Sequence, residues 1–224
     1  MTPPDVVYLV RPGNDNEELR YSLRSLNNLP HRRVWLAGHQ PPWTRNVGRI
    51  PVAQDGGKWD NQHANLTAAC SHPDVADQLV LFNDDFFVTD PLDQVPVLHR
   101  GPFGDLERTY LNRYGEYARR MVATARILGR DALAYDAIHT PLPIVKRLMS
   151  AVLDGLDPWM LFRSVYANRN HLGGGQADDV KVTGMRAGMN RPLTSTSDRS
   201  FARGEVGRQL RAQFPHRSRY EETT

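Results

Sequence analysis

The sequence predicts an α/β fold, a single compact domain over residues 1–224 with a mostly parallel sheet flanked by helices. Three observations lead there. Unbroken apolar runs at Val6-Val7-Tyr8-Leu9-Val10, Val34-Trp35-Leu36-Ala37 and Leu79-Val80-Leu81-Phe82 read as strands buried on both faces. Between the first two runs, Leu19, Leu23 and Leu26 recur at helical spacing, and a β-α-β opening favours parallel pairing. The length of 224 residues suits one sizeable core and is short for two.

The elements follow in order. Strand one runs from Asp5 to Val10, and Arg11 to Asn16 breaks it and supplies helix caps. The leucine-striped helix stops at Asn28-Leu29-Pro30, before a second strand over Arg33–Gly38. A Pro- and Gly-rich stretch from His39 to Gly57 leaves room for a short strand at Arg49–Val52. A helix is expected over about Trp59–Cys70, and then a central strand at Leu79–Phe82 ends abruptly in Asn83-Asp84-Asp85. The pattern predicts a helical segment over about 105–160. Tyr110, Tyr114, Tyr117, Met121, Ala125 and Leu128 mark one face of a long helix, and Val145, Leu148, Met149, Val152 and Leu156 mark another, begun by Pro141 or Pro143. His171 to Gln176 reads as a loop, and a basic C-terminal helix is expected over about 199–219.

Composition excludes several classes. Hydrophobic residues make up 40% and charged residues 24%, ordinary for a globular domain. No stretch approaches the roughly 20 apolar residues of a membrane span, and no signal peptide is visible at the N-terminus. The single cysteine, Cys70, rules out an internal disulfide and a Cys-based zinc site, and suits a reducing, cytoplasmic setting. There is no Gly-x-x-x-x-Gly-Lys-Ser/Thr loop and no Gly-x-Ser-x-Gly elbow. Net charge is only +3, but six arginines against three glutamates crowd the segment from Arg199 to Thr224. Such a tail suits either a solvated helix face or an anionic partner such as nucleic acid.

The strand ending in Asn83-Asp84-Asp85 is the sharpest chemical signal, because ligands of open α/β sheets bind beyond the carboxyl ends of strands. Adjacent carboxylates repel unless a cation is present, and hard oxygen ligands suit Mg²⁺ or Mn²⁺ bound to substrate phosphates. A plain turn accounts for the same residues. Arg20 and Arg24, four apart, project from one helix face and could grip phosphate, or could pair with Glu17 and Glu18 at the surface. His139 could act as a general base, and Arg163 could offset charge developing on a phosphate, although each alone is equally an incidental residue.

These pieces occur in an order that resembles the Stealth family of sugar-phosphate transferases. Asp5-Val6-Val7-Tyr8 matches that family's first strand, and Asn16-Glu17-Glu18-Leu19-Arg20-Tyr21-Ser22-Leu23-Arg24-Ser25 matches its arginine helix with one extra Glu. Phe82-Asn83-Asp84-Asp85-Phe86-Phe87 matches its Phe-Asn-Asp-Asp-x-Phe block, and His139-Thr140-Pro141 followed by Phe162-Arg163 matches its third region. Ser197-Asp198 and Phe214-Pro215-His216-Arg217-Ser218-Arg219-Tyr220-Glu221 match the fourth. Departures lie in the family's Leu-Pro-x-Phe-Asn-Ser block, here Lys58-Trp59-Asp60-Asn61, and in its Cys-Ile-Asn-Asp, here Ser195-Thr196-Ser197-Asp198.

The resemblance implies a glycosyltransferase-A-like fold and a nucleotide-diphosphate-sugar donor. It implies Asp84 and Asp85 on Mg²⁺ or Mn²⁺; Arg20, Arg24 and Arg163 on phosphate; Asn16, Asn61 and Asn83 at the substrate; His139 on the hydroxyl of a glycan or nucleic-acid acceptor; and Asp198 on the metal or on His139. Asp5, at the far end of its strand, is expected to be structural. Transfer of the sugar itself, with a nucleoside diphosphate leaving, is the alternative within the same class. A basic nucleic-acid-binding module without turnover is the alternative outside it.

Overall fold

The computed structural model describes residues 2–13, 15–110 and 115–222, with the side chains of 107–110 also set aside. The main sheet has five strands in the order β3-β2-β1-β4-β7: β1 (Asp5–Val10), β2 (Val34–Gly38), β3 (Gly48–Pro51), β4 (Gln78–Asn83) and β7 (Leu142–Val145). All pair in parallel except β7, which runs antiparallel to β4 at the edge. Helix α1 (Glu17–Ser25) carries the chain from β1 to β2, and α2 (Lys58–Ser71) returns it across β1 to β4. Strand order therefore reverses between β1 and β4, which is where a ligand crevice forms in such sheets.

Alternation along the strands sends successive side chains to opposite faces. Val6, Tyr8, Val10, Leu36, Val80 and Phe82 meet Leu19, Leu23 and Leu26 beside α1. Val7, Leu9, Trp35, Ala37, Leu79 and Leu81 meet Leu66, Met149 and Tyr166 on the other face. These partners come from α2, from α5 (Lys146–Leu153) and from α6 (Phe162–Arg169). With both faces covered, every residue of β1 is buried, as its unbroken apolar run requires. Cys70 sits in this core, where burial pushes its thiol up to about 12 and keeps it inert.

After β4 the chain turns at Asp84-Asp85 and leaves the main sheet as β5 (Phe86–Val88). Strand β5 pairs antiparallel with β10 (Leu193–Thr196), which pairs in parallel with β9 (Lys181–Val182). A second small pairing joins β6 (Leu98–His99) to β8 (Gly175–Gln176), so His171–Gln176 is not wholly a loop. Helices α3 (Phe103–Tyr110) and α4 (Glu116–Leu128) form a satellite layer. Among the described residues no helix is long and apolar enough to cross a membrane.

Three expectations are corrected here. The stripe from Tyr110 to Leu128 is not one helix, because Gly115 is extended and α4 starts afresh at Glu116; Tyr114 and the side chain of Tyr110 lie outside the described residues. Pro141 and Pro143 do not begin a helix. Leu142–Val145 is an edge strand, where a missing N–H is tolerated, and α5 starts only at Lys146. The basic tail is not one helix either, but α7 (Asp198–Arg203) and α8 (Glu205–Gln213), broken at Gly204 and followed by irregular chain. Close packing of the two demands Gly207, where an added Cβ would lie 1.8 Å from the Phe201 carbonyl oxygen.

A buried ion pair locks the foot of this architecture. Asp5, fully buried at the foot of β1, accepts from Arg32 Nε at 2.8 Å, Arg32 Nη2 at 2.9 Å, Trp35 Nε1 at 2.9 Å and the Ala76 amide at 2.9 Å. Burial raises its pKa, but these donors outweigh burial and hold the carboxyl below its ordinary value. Asp5 is structural, as expected. Because the folded value is depressed, the stabilisation is complete above the unfolded pKa of about 3.9 and is lost as pH falls through the folded value. Asp5→Ala should therefore cost roughly 3 kcal/mol at neutral pH, where Asp5 is charged and its donors lose their acceptor. Urea unfolding should show this deficit shrinking below pH 4.

Candidate active site

The carboxyl ends of β1 and β4 open into a cavity of about 870 Å³, within the size range of small-molecule and cofactor sites. Arg11 and Pro12 follow β1 at its rim, and Asn83, Asp84 and Asp85 follow β4. Helix α2 adds Lys58, Asn61, Gln62 and Asn65, the i, i+3, i+4 and i+7 stripe of one face. Asp136 and His139 come from the turn before β7, Arg163 from α6, and Lys181 and Asp198 from the starts of β9 and α7. Seven positions expected from sequence thus line one cavity: Asn61, Asn83, Asp84, Asp85, His139, Arg163 and Asp198.

Arg11 is the centre of the rim. It binds Asp84 Oδ2 through Nε at 3.3 Å, Asp198 Oδ1 through Nη2 at 2.6 Å, and Glu18 Oε2 through Nη2 at 3.3 Å. Lys181 Nζ donates to Asp85 Oδ2 at 2.9 Å, and Ser195 Oγ lies 3.3 Å from the same oxygen. Four carboxylates, Glu18, Asp84, Asp85 and Asp198, thus share two directly bonded cations. The imbalance is visible in their protonation. Burial, then the neighbouring Asp85, pushes Asp84 up to about 6 against the pull of Arg11. Burial, reinforced by the charges of Asp84, Asp85 and Asp198, pushes Glu18 up to about 7 although Thr196 Oγ1 donates to it at 2.7 Å.

A divalent cation fits this deficit of positive charge. Among the described residues no three His, Cys, Asp or Glu side chains converge as ligands. Asp84 and Asp85 are the two carboxylates that could hold such an ion, and a set of one or two carboxylates suits Mg²⁺ only when substrate phosphates complete its shell. The turn reading of Asp84-Asp85 and the ligand reading are compatible, since the turn after β4 is what sets both carboxylates on the rim.

On the opposite wall, Arg163 is 6% exposed. One guanidinium nitrogen, Nη2, donates to the Thr140 carbonyl, and the buried Nε has no partner among the described residues. Burial lowers its pKa, with Asp136 opposing from beyond salt-bridge range. A buried guanidinium without a carboxylate is costly unless a ligand completes it. Arg120, also buried, is held by the Trp159 and Met160 carbonyls at 2.6 and 3.0 Å and lies 3.6 Å from the Trp59 ring centroid.

Several expected roles are relocated. Arg20 and Arg24 do share a helix face, but neither lines the cavity nor pairs with Glu17 or Glu18. Both bind the buried Glu221, at 3.2 Å and 2.8 Å, and so fasten the C-terminal segment to α1. Asn16 lies in an adjoining groove, in left-handed backbone, donating through Nδ2 to the Arg11 carbonyl at 3.0 Å. The imidazole of His139 meets Asp179, not Asp198, which belongs to Arg11. Of the six tail arginines, Arg208 meets Glu205, Arg211 meets Glu17 at 2.8 Å and Arg219 meets Tyr220 at 2.6 Å, while Arg199 lines the cavity.

Sequence reasoning missed Arg11, Glu18, Lys58, Arg120, Asp136, Asp179 and Lys181. The strand-end rule that found Asp84 also finds Arg11, the first residue after β1. Nothing local marks Asp179 or Lys181, which reach the site only through long-range pairing of β9.

No protein-family model matches the chain, and no curated protein matches it. Among solved structures, a galactosyltransferase, LgtC, determined in complex with donor and acceptor sugar analogs, is similar over 96% of this chain and 98% of that one. The TM-score is 0.51 and the identity 13%, a likeness of fold. The chain therefore has a glycosyltransferase-A-like α/β fold.

Two expectations separate structural from functional charge. Arg24→Ala should lower stability by roughly 3 kcal/mol, because it takes two charged donor contacts from the buried Glu221 and leaves it Arg20 and Ser218 alone, while leaving ligand binding in the cavity intact in the folded fraction. Glu18→Gln should instead change how stability depends on pH. Between about 4.3, the ordinary Glu value, and about 7 the folded protein holds the extra proton, so its stability falls as pH rises through that window. In metal-free buffer, Glu18→Gln should gain on the wild type as pH is raised from 4 to 8, read from urea midpoints.

Proposed function

We propose that this chain is a nucleotide-sugar-dependent transferase that moves a sugar-1-phosphate onto an acceptor hydroxyl. The observation that carries the reading is one cavity, at the sheet's switch point, uniting an acid pair, a buried arginine whose Nε has no partner among the described residues and a histidine from three separate elements. The ordered motifs that resemble the Stealth family support the same reading.

In this scheme the diphosphate of the donor lies along the rim between β1 and β4. Asp84 and Asp85 would hold Mg²⁺ or Mn²⁺, which supplies charge neutralisation to the bound diphosphate. Arg11, Lys58 and Lys181 provide further positive charge around it. Asn61 and Asn83 offer hydrogen bonds to the substrate. Arg163 Nε reaches toward the transferring phosphoryl group and stabilises the charge that grows there. His139 takes the proton of the acceptor hydroxyl as its oxygen bonds to the sugar-side phosphorus, and the nucleoside monophosphate leaves with the electrons of the broken P–O bond.

Transfer of the sugar itself is the second reading, favoured by the likeness to a galactosyltransferase. The same residues serve it, but attack falls on the anomeric carbon and a nucleoside diphosphate leaves. The acceptor in both is a hydroxyl-bearing glycan or nucleic acid.

Incubation with a panel of nucleotide sugars, with Mg²⁺ or Mn²⁺ and with EDTA, decides between them by the nucleotide released. Metal-dependent release of a nucleoside monophosphate is the expected result. A nucleoside diphosphate would establish sugar transfer, and no release from any donor would overturn the transferase reading. Asp85→Asn and Arg163→Lys should each lower turnover by roughly 10²–10³-fold, the scale of losing one charge-stabilising contact in a water-poor site.

A further inference from the structure

We propose that Asp179 is the positioning residue of His139, fixing the imidazole so that Nε2 alone serves the cavity. The mechanistic consequence rests on the transferase reading, whereas the geometry does not.

His139 Nδ1 lies 2.9 Å from Asp179 Oδ1 and 3.1 Å from Oδ2. A carboxylate can only accept, so a neutral His139 carries its proton on Nδ1 and keeps a lone pair on Nε2. Both residues are partly buried, with side chains 28% and 29% exposed, so water screens the contact only in part.

The backbone around His139 is set for this contact. His139 stands in left-handed conformation, at φ 50° and ψ 42°, directly after the turn Asp136–Ile138. A residue with a side chain keeps such a conformation only where its surroundings hold it. They do so on both sides: the Val180 amide donates to the Ile138 carbonyl at 3.4 Å, and Arg163 donates to the Thr140 carbonyl.

Asp179 is itself fixed. Its Oδ1 accepts the Lys181 amide at 3.0 Å. Asp179 thus reaches His139, while Lys181, two residues on, lines the cavity and reaches Asp85 through Nζ at 2.9 Å. A three-residue segment thus sets the base and the acid pair in one frame. The acceptor's proton would pass to Nε2, and the imidazolium so formed would be stabilised by the Asp179 carboxylate already on Nδ1.

The test uses the full-length protein and ¹⁵N spectra of His139 at a pH where it is neutral, assigned by the signal lost in His139→Gln. The wild type should show the Nδ1–H tautomer. Asp179→Ala should shift it toward Nε2–H, and Asp179→Asn, whose amide oxygen still accepts, should retain Nδ1–H. An Nε2–H wild type, or an unchanged tautomer in Asp179→Ala, overturns the proposal. With a donor turned over by the wild type, Asp179→Ala should lower kcat by roughly 10²–10⁴-fold, the range for general-base assistance, with KM little changed and partial recovery in Asp179→Asn. An unchanged kcat also overturns it. If the wild type turns over no donor, the transferase reading fails, and the tautomer spectra still decide the role of Asp179.

Discussion

At the crest between β1 and β4 four carboxylates gather around two directly bonded cations, and two of the four, Glu18 and Asp84, are buried. Glu18, Asp84 and Asp198 meet Arg11 and Asp85 meets Lys181, and burial, reinforced by neighbouring carboxylates, pushes Asp84 up to about 6 and Glu18 up to about 7. A core of this kind is tolerated where a ligand supplies the missing charge. The parallel sheet, the crossover through α2 and the turn after β4 set these groups on one rim, and the sheet's burial on both faces keeps them fixed.

The other buried charges behave differently. Asp5 has Arg32, Trp35 and the Ala76 amide, and Glu221 has Arg20, Arg24 and the Ser218 amide at 2.8 Å. Both carboxyls are held below their ordinary values despite burial. These ion pairs are complete and far from the cavity, and they brace the foot of β1 and the end of the chain. Arg163 is the converse case: buried, unpaired by any carboxylate among the described residues and open to the cavity. Completeness of pairing, more than burial or residue type, separates the bracing charges Asp5 and Glu221 from Arg163 at the cavity.

The central strands and the Asp84-Asp85 rim were legible because both signals are local. An unbroken apolar run can only be buried on both faces, and carboxylates at its end can only sit on the crest. Legibility failed where the deciding contact is distant in sequence. Arg20 and Arg24 have the spacing of a phosphate grip, but Glu221 takes them from 201 and 197 residues away. Prolines at 141 and 143 mimic a helix start, yet the free edge of β4 claims the segment between them as a strand. The partner of His139 was sought in the acidic residue nearest a known pattern, Asp198, while the pairing of β9 delivers Asp179 instead.

The most direct test of the account is calorimetric titration of nucleoside diphosphates into the protein, with Mn²⁺ and with EDTA, alongside Asp84→Asn and Asp85→Asn. If the rim between β1 and β4 is a diphosphate site completed by a divalent cation, a nucleoside diphosphate binds with Mn²⁺, and binding collapses with EDTA and in both variants. Binding of equal strength without metal and in both variants, or no binding of any nucleoside diphosphate, would contradict the account.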